Sequence, residues 1–418
     1  MSFFKEGEWK IFSPIYLAMF IGIAVPDIDM LIMIFFFAKG FSATQIGIGF
    51  ALQALFMILA EIPTGAIADI YGKRLSTQVN FFLHTILFTA FFFITEAWMM
   101  WVLYCIMGIS ETFRSGAFDA LPYQMAKEAK RTDLINQFYS TYGFIIQVAT
   151  AISNFAVVGF LFLVGATVKY NVFGQVHQGI DFLWLTGAAG YFIAFLILFK
   201  VKEKVRKRSI NFKADIKETH KISIKALRYT KSHPVISRLV IMGIFGTIAT
   251  LLFSDIVYQP FLIELGIKAE NIAIIIAFAS LLGALFSLIP KHINKKFSSE
   301  KKYLEAAFAL KLIILVSLYF FAGPIFSLVF FFIYFSYDSL IHPIMSPFKQ
   351  FFYKKNMRAT LGSVESVVYS ITAVIFFPII GYLIDNLGSN KTVLFASIPL
   401  LIGLLIFKSI KHKDKLVH

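Results

Sequence analysis

A single cysteine, Cys105, stands in the 418 residues, and it lies inside an apolar run. No disulfide framework is possible. Charge is scarce as well: Asp, Glu, Lys and Arg make up 15% of the chain, against about 25% in soluble domains. The eight histidines are scattered without metal-ligand spacing, so no metal site is expected. There is no nucleophile elbow, no phosphate-binding Walker loop and no dinucleotide fingerprint. These absences argue against an enzyme, against a cofactor and against ATP hydrolysis within this chain. The first apolar segment does not read as a cleavable leader. It is too long, contains Pro26, Asp27 and Asp29, and lacks a small-residue cleavage site.

What the chain has instead is apolar sequence. Hydrophobic residues reach 58%, with 50 phenylalanines and a mean hydropathy of +0.76. A bilayer core of about 30 Å requires about 20 apolar residues per helix. Twelve such stretches can be marked, at 12–36, 45–67, 76–95, 98–122, 137–165, 182–200, 236–260, 271–290, 303–322, 325–349, 360–384 and 392–409.

The net charge of +15 could suggest a nucleic-acid partner, but its placement points to a membrane. Basic residues cluster at Lys73-Arg74, Lys127–Arg131, Lys200–Lys231, Lys291–Lys302, Lys354–Arg358 and Lys408–Lys415. With twelve spans, all of these fall on one side. The positive-inside rule then puts both termini in the cytoplasm, with the basic runs near anionic lipid.

The most informative motif follows Glu61-Ile-Pro63-Thr64. It reads Gly65, three residues, Asp69, two residues, Gly72, then Lys73 and Arg74. This pattern resembles the loop between helices 2 and 3 of major facilitator superfamily transporters. The Glu61-x-Pro63 approach to it is similar to a branch of tetracycline-efflux proteins and to many exporters reading Glu-Ile-Pro-Thr-Gly. The resemblance implies an all-α membrane protein of twelve transmembrane helices in two pseudo-symmetric six-helix bundles. The implied organisation is a bundle at 1–200, a basic cytoplasmic linker at 201–234 and a second bundle at 235–418. It also implies alternating access, a monomer, and a gating role for Glu61, Gly65, Asp69, Gly72, Lys73 and Arg74. Asp69 would hold the positive end of a neighbouring helix, and the glycines would permit the tight turn. Within the linker, Phe212, Ile216, Ile224 and Leu227 could form one face of a surface helix; a solvated linker is the alternative.

The halves echo each other. Lys10 precedes Asp27, and Arg238 precedes Asp255, by seventeen residues; Glu111 precedes Arg131, and Asp338 precedes Arg358, by twenty. That is the parallel repeat expected of two such bundles. The second-half copy of the loop keeps its cations but loses its glycines and acid.

Charges within spans are costly and usually face a bundle interior or water. In the resembled family, spans 1, 4, 7 and 10 line the cavity, and here each carries an acid. The candidates for proton coupling or substrate contact are Asp27, Glu111, Arg114, Asp255, Asp338 and His342. Glu111 and Arg114 share a helix face, as do Asp338 and His342. Asp27 and Asp29 cannot share one unless Pro26 distorts the turn. Phe113, Tyr258, Tyr334 and Tyr337 are candidate aromatic liners. Three functions fit: proton-coupled export of a small amphipathic compound, which heads the list; proton-coupled import of a polar nutrient; or a non-transporting assembly or sensing protein. The partners expected are a small molecule, H+ and the bilayer, with no nucleic acid.

Overall fold

The computed structural model describes residues 4–115, 117–203, 228–286, 289–290, 296–320, 324–352 and 358–410. The helical-face reading of Phe212, Ile216, Ile224 and Leu227 lies outside them. The chain divides into two compact units, Met1–Lys39 with Leu52–Lys213, and Gly40–Ala51 with Ala214–His418. The short Gly40–Ala51 segment thus groups with the second unit, where a division at residue 200 would not put it.

In the first unit the helices are α1 (Glu8–Ala24), α2 (Ile32–Ala38), the larger part of α3 (Ala43–Tyr71), α4 (Lys73–Phe92), α5 (Ala97–Arg114), α6 (Ala117–Glu128), α7 (Ile135–Val164) and α8 (Phe182–Ile197). In the second they are α9 (Pro234–Leu251), α10 (Asp255–Glu264), α11 (Ala269–Phe286), α12 (Glu300–Phe320), α13 (Pro324–Ser336), α14 (Asp338–Phe352), α15 (Arg358–Leu387), α16 (Ser389–Phe395) and α17 (Ser397–Lys408). Among the described residues, ten helical stretches are long and apolar enough to cross a membrane, and Asn271–Phe286 is a shorter apolar helix. The sequence suggested twelve. The fourth stretch falls short because α5 ends on Glu111 and Arg114 and the chain then breaks before α6. Helices are required here because lipid offers no partner to a free backbone N–H or C=O.

The packing repeats between units. In the first, α1 lies on α7 and α8, and α4 on α5 and α8; in the second, α9 lies on α15 and α17, and α12 on α13 and α17. Each helix therefore meets its counterpart's counterpart, which is the internal repeat in three dimensions.

The first and fourth spans of each unit are broken, and the breaks carry the charges. α1 stops at Ala24, and the chain runs through Pro26 and Asp27 before the 3₁₀ turn Asp29–Leu31. The corresponding breaks come just before Ser115, Asp255 and Asp338. With the helix ended at Ala24, the Val25 and Pro26 carbonyls have no intrahelical partner. Two hydroxyls satisfy them: Ser153 Oγ donates to the Val25 oxygen at 3.2 Å and Thr186 Oγ1 to the Pro26 oxygen at 2.6 Å.

Distant carboxylates cap three helix starts. Glu203 receives the Lys73 and Arg74 amides at 2.9 and 2.8 Å. In the second unit, Asp385 receives those of Ala43 and Thr44, both at 2.9 Å, and Glu264 those of Ser389 and Asn390 at 2.8 and 3.0 Å.

One departure from an all-helical chain is the antiparallel hairpin of β1 (Lys169–Val172) and β2 (Gln175–Gln178). Its two turn residues, Phe173 and Gly174, have φ of 51° and 79°, the twist a two-residue hairpin needs. His177 of β2 stacks on Phe92 with ring centroids 4.0 Å apart. Its Nδ1 donates to Asp181, which also binds Lys39 at 2.7 Å. Burial, with the Lys39 ammonium adding to it, holds the His177 imidazole below its ordinary pKa against the pull of Asp181.

Candidate polar cavity in the first unit

Glu111, in the last turn of α5, divides its carboxylate between a guanidinium and an imidazole. Oε2 accepts from Arg114 Nη2 at 2.9 Å, and Oε1 lies 3.0 Å from His84 Nε2 on α4. The Arg114 contact is the i,i+3 pair its spacing predicts. The His84 contact crosses between helices and was not anticipated. The three residues line a cavity of about 150 Å³, together with Asn80, Phe81, Tyr191, Met19, Gly22 and Ile23.

His84 is 3% exposed and its surroundings suit either protonation state. Nε2–H donates to Glu111 in both. Nδ1 lies 3.0 Å from the Ser110 hydroxyl, 3.2 Å from the Asn80 amide nitrogen and 3.0 Å from the Asn80 carbonyl. A neutral ring can accept there from the hydroxyl or amide. A protonated ring can donate to the carbonyl or to the turned hydroxyl. Gaining a proton therefore strands no buried polar atom.

Tyr191 of α8 closes the cavity with its ring 5.0 Å from that of His84. One turn back along α8 is Gly187. A Cβ there would stand 3.0 Å from the Asp27 Cβ, so the break in the first span is seated on a glycine. Asp27 accepts the Asp29 amide at 3.1 Å. Pro26 does interrupt the helix, so the two acids are not held at helical spacing.

The remaining candidates are dispersed. Glu61, exposed on α3, takes the Ser115 hydroxyl at 2.5 Å, at the break between α5 and α6. Gly65 has open space beside it. Asp69 is exposed in the last turns of α3. Gly72 leads into α4 with φ 101°, and Lys73 and Arg74 open that helix under Glu203. In the second unit Asp255 begins α10, with its side chain outside the described set. Asp338 does not pair with His342, which is exposed. It binds Lys311 of α12 at 2.6 Å. Tyr258, Tyr334 and Tyr337 are buried at 6%, 3% and 3%; Tyr258 and Tyr334 pack with Phe253 as part of the core.

His84 and Lys311 are two titratable residues within spans that the sequence did not mark out. Each interrupts an apolar run, which is itself a signal.

Comparison with known proteins agrees with this architecture. The sequence model of the Major Facilitator Superfamily matches residues 12–366. The uncharacterized MFS-type transporter YxaM of Bacillus subtilis (strain 168) is 22% identical over 401 residues, covering 94% of each chain. Among solved structures, the nucleoside transporter NupG aligns with a TM-score of 0.73 at 12% identity, over 96% of this chain and 100% of its own. The D-xylose-proton symporter aligns with a TM-score of 0.70 at 12% identity, over 97% and 99%. At such identities these likenesses show the fold. The protein is a multi-pass membrane protein that acts as a secondary transporter of small molecules rather than as an enzyme, and the chain belongs to the Major Facilitator Superfamily.

Proposed function

We propose that the protein imports a small polar, hydroxyl-bearing solute together with a proton. The observation that carries this reading is the sharing of Glu111 between His84 and Arg114 at the wall of the cavity. When His84 is protonated, the imidazolium satisfies Glu111 and loosens its hold on Arg114. The Arg114 side chain, 42% exposed, then turns its guanidinium donors to an acceptor oxygen of the solute. When the proton leaves, Glu111 recaptures Arg114 and the solute loses a partner. Proton and solute thus favour each other's binding, and by linkage the coupling is reciprocal.

The polar lining from Asn80, His84, Glu111, Arg114 and Tyr191 suits a hydroxylated solute better than the amphipathic compound of the export reading. Two fold relatives, a nucleoside transporter and a D-xylose-proton symporter, point to the same solute class. The reading takes the chain as a monomer in the cytoplasmic membrane, as the family resemblance implies, with both termini inside, an orientation supported by the basic runs.

The test is transport by purified protein in proteoliposomes with an acid exterior, using labelled uridine and D-xylose, beside vesicles loaded with a lipophilic cation dye. Accumulation of a polar solute that collapses with the gradient and is absent in Glu111→Gln supports import. Gradient-driven extrusion of the dye, with no polar solute accumulated, would restore the export reading.

A further inference from the structure

The second unit contains a counterpart of the His84–Glu111 pair. Lys311 Nζ lies 2.6 Å from Asp338 Oδ1, at the first residue of α14. Cation and acid are 27 residues apart in both pairs. Each pair bridges equivalent helices, α4 to α5 and α12 to the α13–α14 break, and each acid precedes an arginine, Arg131 or Arg358, by twenty residues. The two pairs therefore occupy one position of the internal repeat.

Their chemistry differs. The first joins an imidazole to a carboxylate and the second an ammonium to one. Lys311 is 6% exposed, and the described titratable groups around it are Tyr334 and Asp338. The Tyr334 ring, 5.0 Å from Nζ, favours the cation. Around His84 stand Glu111 and Arg114 from α5 and Tyr191 from α8, with Asp27 and Asp29 acting on Tyr191 from the first span. Asp338 is 53% exposed. Lys311 engages one of its oxygens, so the carboxylate presents free lone pairs outward.

We propose that the repeat has divided its labour: the first pair handles the proton, and Asp338, held at one oxygen by Lys311, binds the hydroxyl donors of the solute. Asp338 thereby leaves the set of proton carriers. This rests on the import reading and adds to it a recognition residue in the second unit.

Counterflow of labelled uridine and D-xylose at equal pH on both sides isolates solute binding and exchange from coupling. Asp338→Asn leaves a buried lysine unpaired and can fail to fold, so the neutral double variant Lys311→Met/Asp338→Asn is measured beside it. The expected result is that the double variant, present in normal folded amount, loses counterflow of the transported probe, while His84→Gln keeps counterflow and loses only pH-driven accumulation. A double variant that keeps counterflow and loses accumulation overturns the proposal, because Asp338 would then be the proton carrier. Infrared difference spectra between about pH 8 and pH 5 provide an arm that needs no solute. The protonated-carboxyl signal of wild type is expected unchanged in the double variant, and its loss there overturns the proposal. Full pH-driven accumulation by His84→Gln would instead sink the import mechanism and leave the assignment of Asp338 to the counterflow result.

Discussion

Glu203 stands over the helix that Lys73 begins: its Oε1 accepts the Lys73 amide at 2.9 Å, and its other oxygen takes the next amide. A carboxylate in that place answers the partial positive charge of a helix start. Replacing it leaves two amides without partners. Glu203→Ala is expected to destabilise the protein by about 1 kcal/mol, with Glu203→Gln in between, measured as the shift in thermal unfolding in detergent. An unchanged midpoint in Glu203→Ala would show that water replaces the cap without cost.

The hairpin predicts a pH dependence. The folded-state pKa of His177 lies below its ordinary value, so the unfolded segment binds more protons than the folded one between the two values. Stability from this residue is fully present above about pH 6.5 and is lost as pH falls toward the folded value. Amide exchange across Lys169–Gln178 should quicken on acidification in that window. His177→Phe keeps the ring on Phe92, removes the titration and should flatten the response. Equal acid sensitivity in wild type and His177→Phe would refute the assignment.

Gly108 of α5 faces the backbone of α3. A Cβ there would come within 2.3 Å of the Gln53 carbonyl oxygen. Only a small residue lets two membrane helices approach so closely. Gly108→Ala is expected to cost about 1–3 kcal/mol through overpacking and to lower the yield of folded protein. Gly65→Ala, with open space beside it, is the control and should leave yield unchanged.

Orientation can be read with a cysteine-free background, Cys105→Ser. Phe173→Cys, at the 90% exposed hairpin tip, should react with an impermeant thiol reagent added outside cells. Lys127→Cys, at the end of α6, should react only after the cells are opened. The reverse pattern would invert the topology and, with it, the direction assigned to transport.

Helical architecture was legible from apolar runs and the scarcity of charge, because a bilayer imposes one backbone solution on any such chain. The Glu111–Arg114 pair was legible because three residues along a helix is a fixed distance. His84 and Lys311 were not reached because the search followed acids. Their partners lie on other helices, where no local spacing reports them, although the shared interval of 27 residues was available to a search for repeats. Glu8 was missed for a different reason. It is fully buried and takes the hydroxyls of Tyr16 and Thr141 at 2.9 and 2.6 Å. In sequence it looks like one more polar residue ahead of the first span. The hairpin hid in a stretch whose Phe-Gly turn lacks the usual Asn or Asp.

The broken first span has one more consequence. Its two freed carbonyls are held by hydroxyls from α7 and α8, so the joint at Pro26 is a linkage rather than a free swivel. Bending there must either tear both contacts or drag the two neighbouring helices along. α8 carries Gly187 under Asp27 and, one turn on, Tyr191 against His84. A displacement of Asp27 would therefore be felt first by α8, the helix whose Tyr191 ring lies against His84.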